Sequence, residues 1–270
     1  MGAKVSYYWK LYWKVISMQL RSRMSFRLNF FVMLVGVFLR EAATLALMVV
    51  LVQKFDGLAG WKTWEIAFLY SFVTLTFRNF SSFVGGIGKI PSFIRTGEMD
   101  VYLLTPSDPL FLINCRNTMI WRSFYNIGIL AVTIYCAFQA GISFAPGGIC
   151  CLAVLIFCGM FILFAAYLIV YAISIRVVEV SSLLKILDSV YKQYMIYPIP
   201  IYGRVAAWIF TFLLPLGLAS YYPSGVLLGK IAGLTMGWGT VGIAAVTVLW
   251  VIAAFLFWHV AIKRYNSTGT

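Results

Sequence analysis

The sequence predicts an all-α polytopic membrane protein with six transmembrane helices, an N-terminal interfacial helix and cytoplasmic N and C termini. Three observations carry this. Of 270 residues, 62% are hydrophobic and 11% charged, against about 45–50% and 25% in soluble domains. The apolar residues form runs long enough to cross a bilayer. The basic residues cluster between those runs, so the net charge of +13 reads as topology rather than as a nucleic-acid surface. A soluble enzyme is excluded, because a chain with 22 Phe, 16 Tyr and 9 Trp has more apolar surface than a soluble fold of this size hides.

A spanning helix needs about 20 mostly apolar residues, since it rises about 1.5 Å per residue and must satisfy its own backbone groups. Six segments qualify: Leu28–Val52, Trp64–Val84, Ile120–Ala140, Ile149–Ser174, Val205–Tyr222 and Met236–Ala261. The fifth is short and contains Pro215, so it is expected to kink or to run on into a helix that only dips into the far leaflet. With this count, sixteen Lys and Arg residues fall on the side of the termini. Only Lys54, Lys62 and Lys230 fall on the other, and Arg40 and Arg78 lie within spans. Lysine and arginine bias sets orientation, so both ends are placed in the cytoplasm.

Residues 1–27 precede the first span. Lys10, Lys14, Ser17 and Arg21 share one helical face, and Trp9, Tyr12, Trp13, Ile16 and Leu20 cover the remainder. The period predicts a helix lying in the headgroup region, the alternative being a basic flank whose aromatics anchor the first span. The whole chain, residues 1–270, reads as one transmembrane domain, with its larger connections at 85–116 and 176–204, both on the cytoplasmic side.

In the first of these connections, Pro91 suits the first turn of a short helix, Gly97 the left-handed residue that ends one, and Pro106 and Pro109 stop further helix. An amphipathic helix near Ile90–Thr96 is expected. Lys89 after Gly88 does not make a phosphate-binding loop. Phe83 stands where the first glycine is required and Ile90 where Ser or Thr is required. In the second connection, Val180, Leu183, Leu184, Leu187, Val190 and Tyr191 repeat at helical spacing, with Glu179, Lys185, Asp188 and Lys192 as polar members. Such a helix packs along the inner membrane surface or against a soluble partner.

Charges at bilayer depth cost some kcal/mol each and face protein or water. Arg40, Glu41 and Arg78 are therefore candidates for function. Either Glu41 and Arg78 form an interhelical pair that fixes the packing of the first two spans, with Arg40 reaching water, or all three line a solute path. The five cysteines lack metal or disulfide spacing, and no catalytic or metal-binding residue is expected. His259 reads as an interfacial imidazole, and Gly233 with Gly237 as a small-residue pair or a turn.

The stretch Ile94–Pro106 (IRTGEMDVYLLTP), the later Tyr197–Ile199 (YPI) and Pro215–Pro223 (PLGLASYYP) resemble the six-span permease subunits of type-2 ABC exporters. This resemblance implies a half-transporter in which two permeases, identical or homologous, form the path. Each docks a cytoplasmic ATPase subunit that binds ATP and magnesium, so this chain itself holds no cofactor. It also implies that the loop helix contacts the ATPase. Apolar anchors Ile90, Phe93 and Ile94, Arg95 for register, the helix-start Pro91, the turn at Gly97, and Glu98 with Asp100 would make that contact. The residue-level alternative is a solvated loop with a turn at Gly97. A multi-pass protein of a bacterial plasma membrane, exporting its solute and binding no nucleic acid, is the expectation. A self-sufficient secondary transporter or channel is the alternative, although no repeat of three-span halves is found. An intramembrane enzyme would need clustered catalytic side chains at depth, where only Glu41 and scattered hydroxyls stand.

Overall fold

The structure is a computed structural model that describes residues 10, 12–15, 17–18, 27–53, 57–142, 145–177, 180–231 and 233–265. Within the stretch before the first span, Lys10, Tyr12–Val15, Ser17 and Met18 are helical. The remainder of the expected interfacial helix, and Glu179 of the second connection, lie outside the described residues.

The described residues are helical, apart from turns and one isolated bridge between Leu58 and Trp61. Long helices come first. α1 (Arg27–Gln53) is followed by α2 (Thr63–Phe83). The connection after it holds three short helices, α3 (Ile90–Thr96), α4 (Met99–Leu103) and α5 (Pro109–Asn117). α6 (Ser123–Gln139) and α7 (Pro146–Ile173) follow. α8 (Ser181–Ser189) runs into a π turn at Val190–Tyr194. α9 (Gly203–Trp208) runs into another at Ile209–Leu213. α10 (Tyr221–Leu227) and α11 (Met236–Ile262) complete the chain.

Among the described residues, three helices are long and apolar enough to cross a membrane: α1 over Phe31–Val50, α7 and α11. A fourth span results if Ser181–Tyr194 and Ile199–Leu213, bent by 117° at their junction, count as one. This is a helical, multi-pass membrane protein, and of the six spans expected above, length and composition alone mark three or four. Each shortfall has a physical reason. α2 is long enough, yet Glu65, Arg78 and Asn79 lower its hydropathy. It is the central helix, packed against α6, α7 and α1, so its outer environment is protein and it has less need of apolar residues. α6 is only 17 residues long, with a 3-10 turn at Ile120–Arg122 before it.

The fifth segment breaks at Pro215. The chain leaves the helix at Leu214, which is extended, makes a 3-10 turn at Gly217–Ala219 and re-enters a helix at α10. Hydroxyl groups satisfy backbone groups around this break: Ser220 donates to the Leu216 carbonyl and Ser224 to that of Ser220. Gly233 adopts φ 78° and Gly237 has open space beside it, so these two glycines mark a turn and a helix start rather than a close helix crossing.

The core is built around α2 and α7. Ile66, Leu69 and Val73 of α2 meet Leu163, Tyr167 and neighbours on one side. Phe68 and Phe72 meet Cys136, Leu155 and Val226 on the other. α7 and α11 pack along their length. Gly159 lets α7 come close to α2 and the broken segment, since a β-carbon there would stand 2.7 Å from Thr76 Cγ2 and 3.1 Å from the Ala219 carbonyl oxygen. α1 is the exception, with most of its surface exposed and a buried seat only towards Met48 and Val52.

Candidate functional site

Two regions carry the residues singled out in the sequence. The first is the connection between α2 and α6. α3 begins with Pro91 in its first turn and ends at Gly97, whose φ of 75° is the left-handed conformation that a residue with a β-carbon resists. Pro109 starts a helix rather than stopping one. Asp108 caps α5 by accepting from the Phe111 amide at 2.8 Å, and proline at the first helical position loses no hydrogen bond there.

The loop is not a free arm. Ile90, Ile94 and Met99 are buried in this chain's own core together with Ile87, and Phe93 stacks on Tyr102 with ring centroids 5.1 Å apart. Arg116 lies over the other partner of that stack, 5.7 Å from the Tyr102 ring centroid. Gly86 presses the turn before α3 onto α5: a β-carbon there would fall 2.4 Å from the Asn114 carbonyl oxygen. Asn114 in turn donates to the Phe83 carbonyl at 3.1 Å. The apolar side chains expected to anchor a partner thus anchor the loop to its own domain, because an amphipathic helix of seven residues on a membrane domain buries its apolar face against the nearest core.

Arg95 and Glu98 face outward, as do Val101 and Leu104, the latter 86% exposed. Asp100 is half-buried near the chain's far end, where burial and the Asp100 carboxylate push the Tyr265 phenol up to about 12. Burial alone pushes the Cys115 thiol of α5 up to about 11.

The second region is a polar cluster between α1 and α2. Arg78 Nη2 lies 2.5 Å from Glu41 Oε1, and Arg40 Nη2 lies 3.0 Å from the same oxygen. The Tyr70 hydroxyl donates to Glu41 Oε2 at 2.9 Å. Glu41 and Arg78 side chains are 13% and 16% exposed, that of Arg40 70%, so Arg40 caps the pair from outside. Beside Arg78 on α2, Asn79 accepts from Asn126 of α6 at 2.9 Å. The cluster lines a cavity of about 620 Å³ that reaches Arg122, Tyr191 and Lys192. All three charges named from the sequence are therefore together, while the loop residues form a separate site.

Residues 38–269 match the family described as ABC-2 family transporter protein. The chain belongs to that family. No curated protein and no solved structure matches it. The ABC-2 match takes in the charge cluster, the loop and both broken helices, and begins after the N-terminal stretch. ABC-2 permeases are generally the membrane component of a transporter and lack an ATPase site of their own. Among the described residues of this ABC-2 protein, no group of three or more His, Cys, Asp or Glu could hold a metal ion.

Several residues that organise the ABC-2 site were not visible from spacing. The Tyr191 hydroxyl, fully buried, reaches the carbonyls of Val73 and Ala219 at 3.4 and 3.3 Å. Tyr167 donates to Asp188, which also pairs with Lys192 at 2.7 Å. Lys192 lies 4.5 Å from the centroid of the Phe77 ring. Glu65 pairs with Lys230 at 2.9 Å near the other end of α2. Asp188, Tyr191 and Lys192 stand in the helical pattern read from the sequence, and the four-residue spacing of Asp188 and Lys192 suits a pair, but the partners on other helices do not follow from it.

Proposed function

We propose that this ABC-2 protein is the permease of an ATP-binding-cassette exporter, forming its path with a second permease, identical or homologous, and driven by a separate cytoplasmic ATPase that binds ATP and magnesium. Six membrane crossings with both termini in the cytoplasm complete the reading. α2 crosses behind protein rather than against lipid, α6 crosses with one face on α2 and an apolar face, including Ile127 and Phe138, exposed, and the broken fifth segment enters and returns with α10. The charge asymmetry of the loops supports the orientation and a plasma-membrane setting.

The observation that carries the reading is the seating of the loop between α2 and α6. A force-transmitting contact needs an exposed surface on a base that does not yield. Ile90, Ile94 and Met99 supply that base from the core, and Arg95, Glu98, Val101 and Leu104 supply the surface. Two charges of opposite sign give register, and two apolar side chains give contact area. Pro91 and Gly97 fix the ends of the helix, while Phe93 and Asp100 brace it from within. A push on α3 reaches α2 through the turn that holds Gly86 against α5 and through Asn114 of α5, which donates to the Phe83 carbonyl.

The test is to co-express the chain with a soluble ATP-binding-cassette ATPase from the same genome, first any encoded in a neighbouring gene, and purify through a tag on the chain. The expected result is a stable complex that Leu104→Asp with Arg95→Glu disrupts, without changing the yield or thermal midpoint of the chain. A purified chain that moves solute down an ion gradient in liposomes with no ATPase present would overturn the proposal in favour of a secondary transporter.

A further inference from the structure

The cavity at the charge cluster continues into a second one, and the two differ in chemistry. The larger, about 620 Å³, contains Arg40, Arg78, Arg122 and Lys192 among its walls, and one carboxylate, Glu41. The smaller, about 290 Å³, lies between α1 and α6 and is walled by apolar side chains such as Phe38, Phe124, Ile127 and Val132. Glu41 and Arg78 belong to both. A compartment of positive charge therefore opens onto an apolar cleft across a shared wall.

The sign of the charge follows from the bonding. Glu41 is already held on both oxygens, by Arg40 and Arg78 on one and by Tyr70 on the other. Asp188, outside the cavity, is held by Tyr167 and Lys192. Counting both carboxylates, Arg40, Arg78 and Lys192 still outnumber the two anions they pair with. A cationic solute meets carboxylates that are engaged, whereas an anionic one meets Arg78 and Lys192, each of which has donors beyond the one given to a carboxylate. Arginine's planar fork suits phosphate in particular. In the cleft, Gly128 leaves the space that an alkyl chain would take. A β-carbon there would meet only Phe38 Cδ2, at 3.5 Å.

We infer that the protein's cargo is an anionic amphiphile, whose phosphate-like head sits among Arg40, Arg78, Arg122 and Lys192 while its alkyl chain lies in the cleft beside Gly128. This rests on the permease reading and names the substrate class for it. Neither a free anion nor a cationic amphiphile satisfies both compartments.

The test uses the purified full chain in phosphatidylcholine nanodiscs, with radiolabelled decyl phosphate as probe and empty nanodiscs as background. Saturable binding is expected. Decyltrimethylammonium and inorganic phosphate should each displace the probe at least about a hundredfold less well than unlabelled decyl phosphate, as the loss of two charge-assisted contacts or of the chain requires. Arg122→Gln with Lys192→Gln should weaken binding about tenfold or more. Gly128→Leu should do so by filling the cleft, and Gly128→Ala, which fits the space, should have a smaller effect. Equal displacement by inorganic phosphate would show a bare anion site, and stronger displacement by decyltrimethylammonium would reverse the sign. Binding unchanged in the double charge variant would show adsorption elsewhere. Each of these overturns the proposal. ATPase co-purification is measured on the same preparations. A chain that keeps its ATPase but fails the ligand arms loses only the cargo assignment, and one that loses the ATPase in the native sequence loses the permease reading itself.

Discussion

Removing Arg78 while keeping Glu41 isolates the energetics of the charge cluster. In Arg78→Gln the Glu41 side chain, 13% exposed, keeps its bonds from Tyr70 at 2.9 Å and Arg40 at 3.0 Å but loses its nearest cation. Breaking a buried pair on one side costs about 3–5 kcal/mol. Here the exposed Arg40 can take up part of the charge, so about 2 kcal/mol is expected. Glu41→Gln leaves Arg78 in place with a long stem that can carry its head towards water, and about 1–2 kcal/mol is expected. With both changes no uncompensated charge remains, and the double variant should be more stable than the sum of the singles by about 2 kcal/mol. The assay is equilibrium unfolding in mixed micelles of increasing SDS fraction, followed by tryptophan fluorescence, for all four corners of the cycle. Additivity within about 0.5 kcal/mol would refute the reasoning, because it would mean that the two charges do not sense each other.

Four further outcomes follow from the packing and the orientation. Tyr191→Phe leaves the ring in its buried place but withdraws the hydroxyl from the Val73 and Ala219 carbonyls, and a loss of about 1–2 kcal/mol is expected in the same unfolding assay; no change would mean that those oxygens are satisfied otherwise. Gly86→Ala should destabilise by more than the about 1–3 kcal/mol typical of overpacking. The clash is with the α5 backbone, and limited proteolysis should then cut between 85 and 117 faster than in the native chain. Cys115 should resist maleimide. Its thiol is held protonated well above the usual value of about 8.5, so labelling in the fold rises only towards pH 11. The preference for the protonated form stabilises the fold below about pH 8.5 and fades as pH climbs to the folded value. Cys150 is exposed, and it should label from outside intact cells with an impermeant maleimide; labelling only after permeabilisation would contradict the proposed orientation.

What was legible in the sequence was local. The bounds of α3 follow from Pro91 and Gly97, because those residues act through their own φ angles and need no distant partner. The break near Pro215 was readable for the same reason. Pro109 was misread because proline ends a helix and begins one equally well; Asp108 before it was the deciding signal. Length and composition do not mark α2 as a span, since hydropathy is summed along a chain while lipid exposure depends on which neighbours surround it. At the charge cluster, an interhelical pair of Glu41 and Arg78 was one of the two readings, and the structure has them in contact. Asn126 and Lys192 belong to the same cavity but are brought there by helices far along the chain from α1 and α2, so their own spacing does not place them in it, and Tyr70, on α2 with Arg78, was not singled out by the apolar pattern. The inward-facing side of α3 was invisible for a related reason: periodicity shows that a helix has an apolar face, not what that face meets.

The interruption at Pro215 has a further consequence. Where a continuous helix needs nothing from its surroundings, this stretch is sewn together by alcohols: Thr211 with Tyr222, Ser220, Ser224, and Tyr191 arriving from the neighbouring elbow. Hydrocarbon offers no substitute for any of them. On warming, this seam is where the protein should come undone first, and water should enter there before any of the long helices lets go.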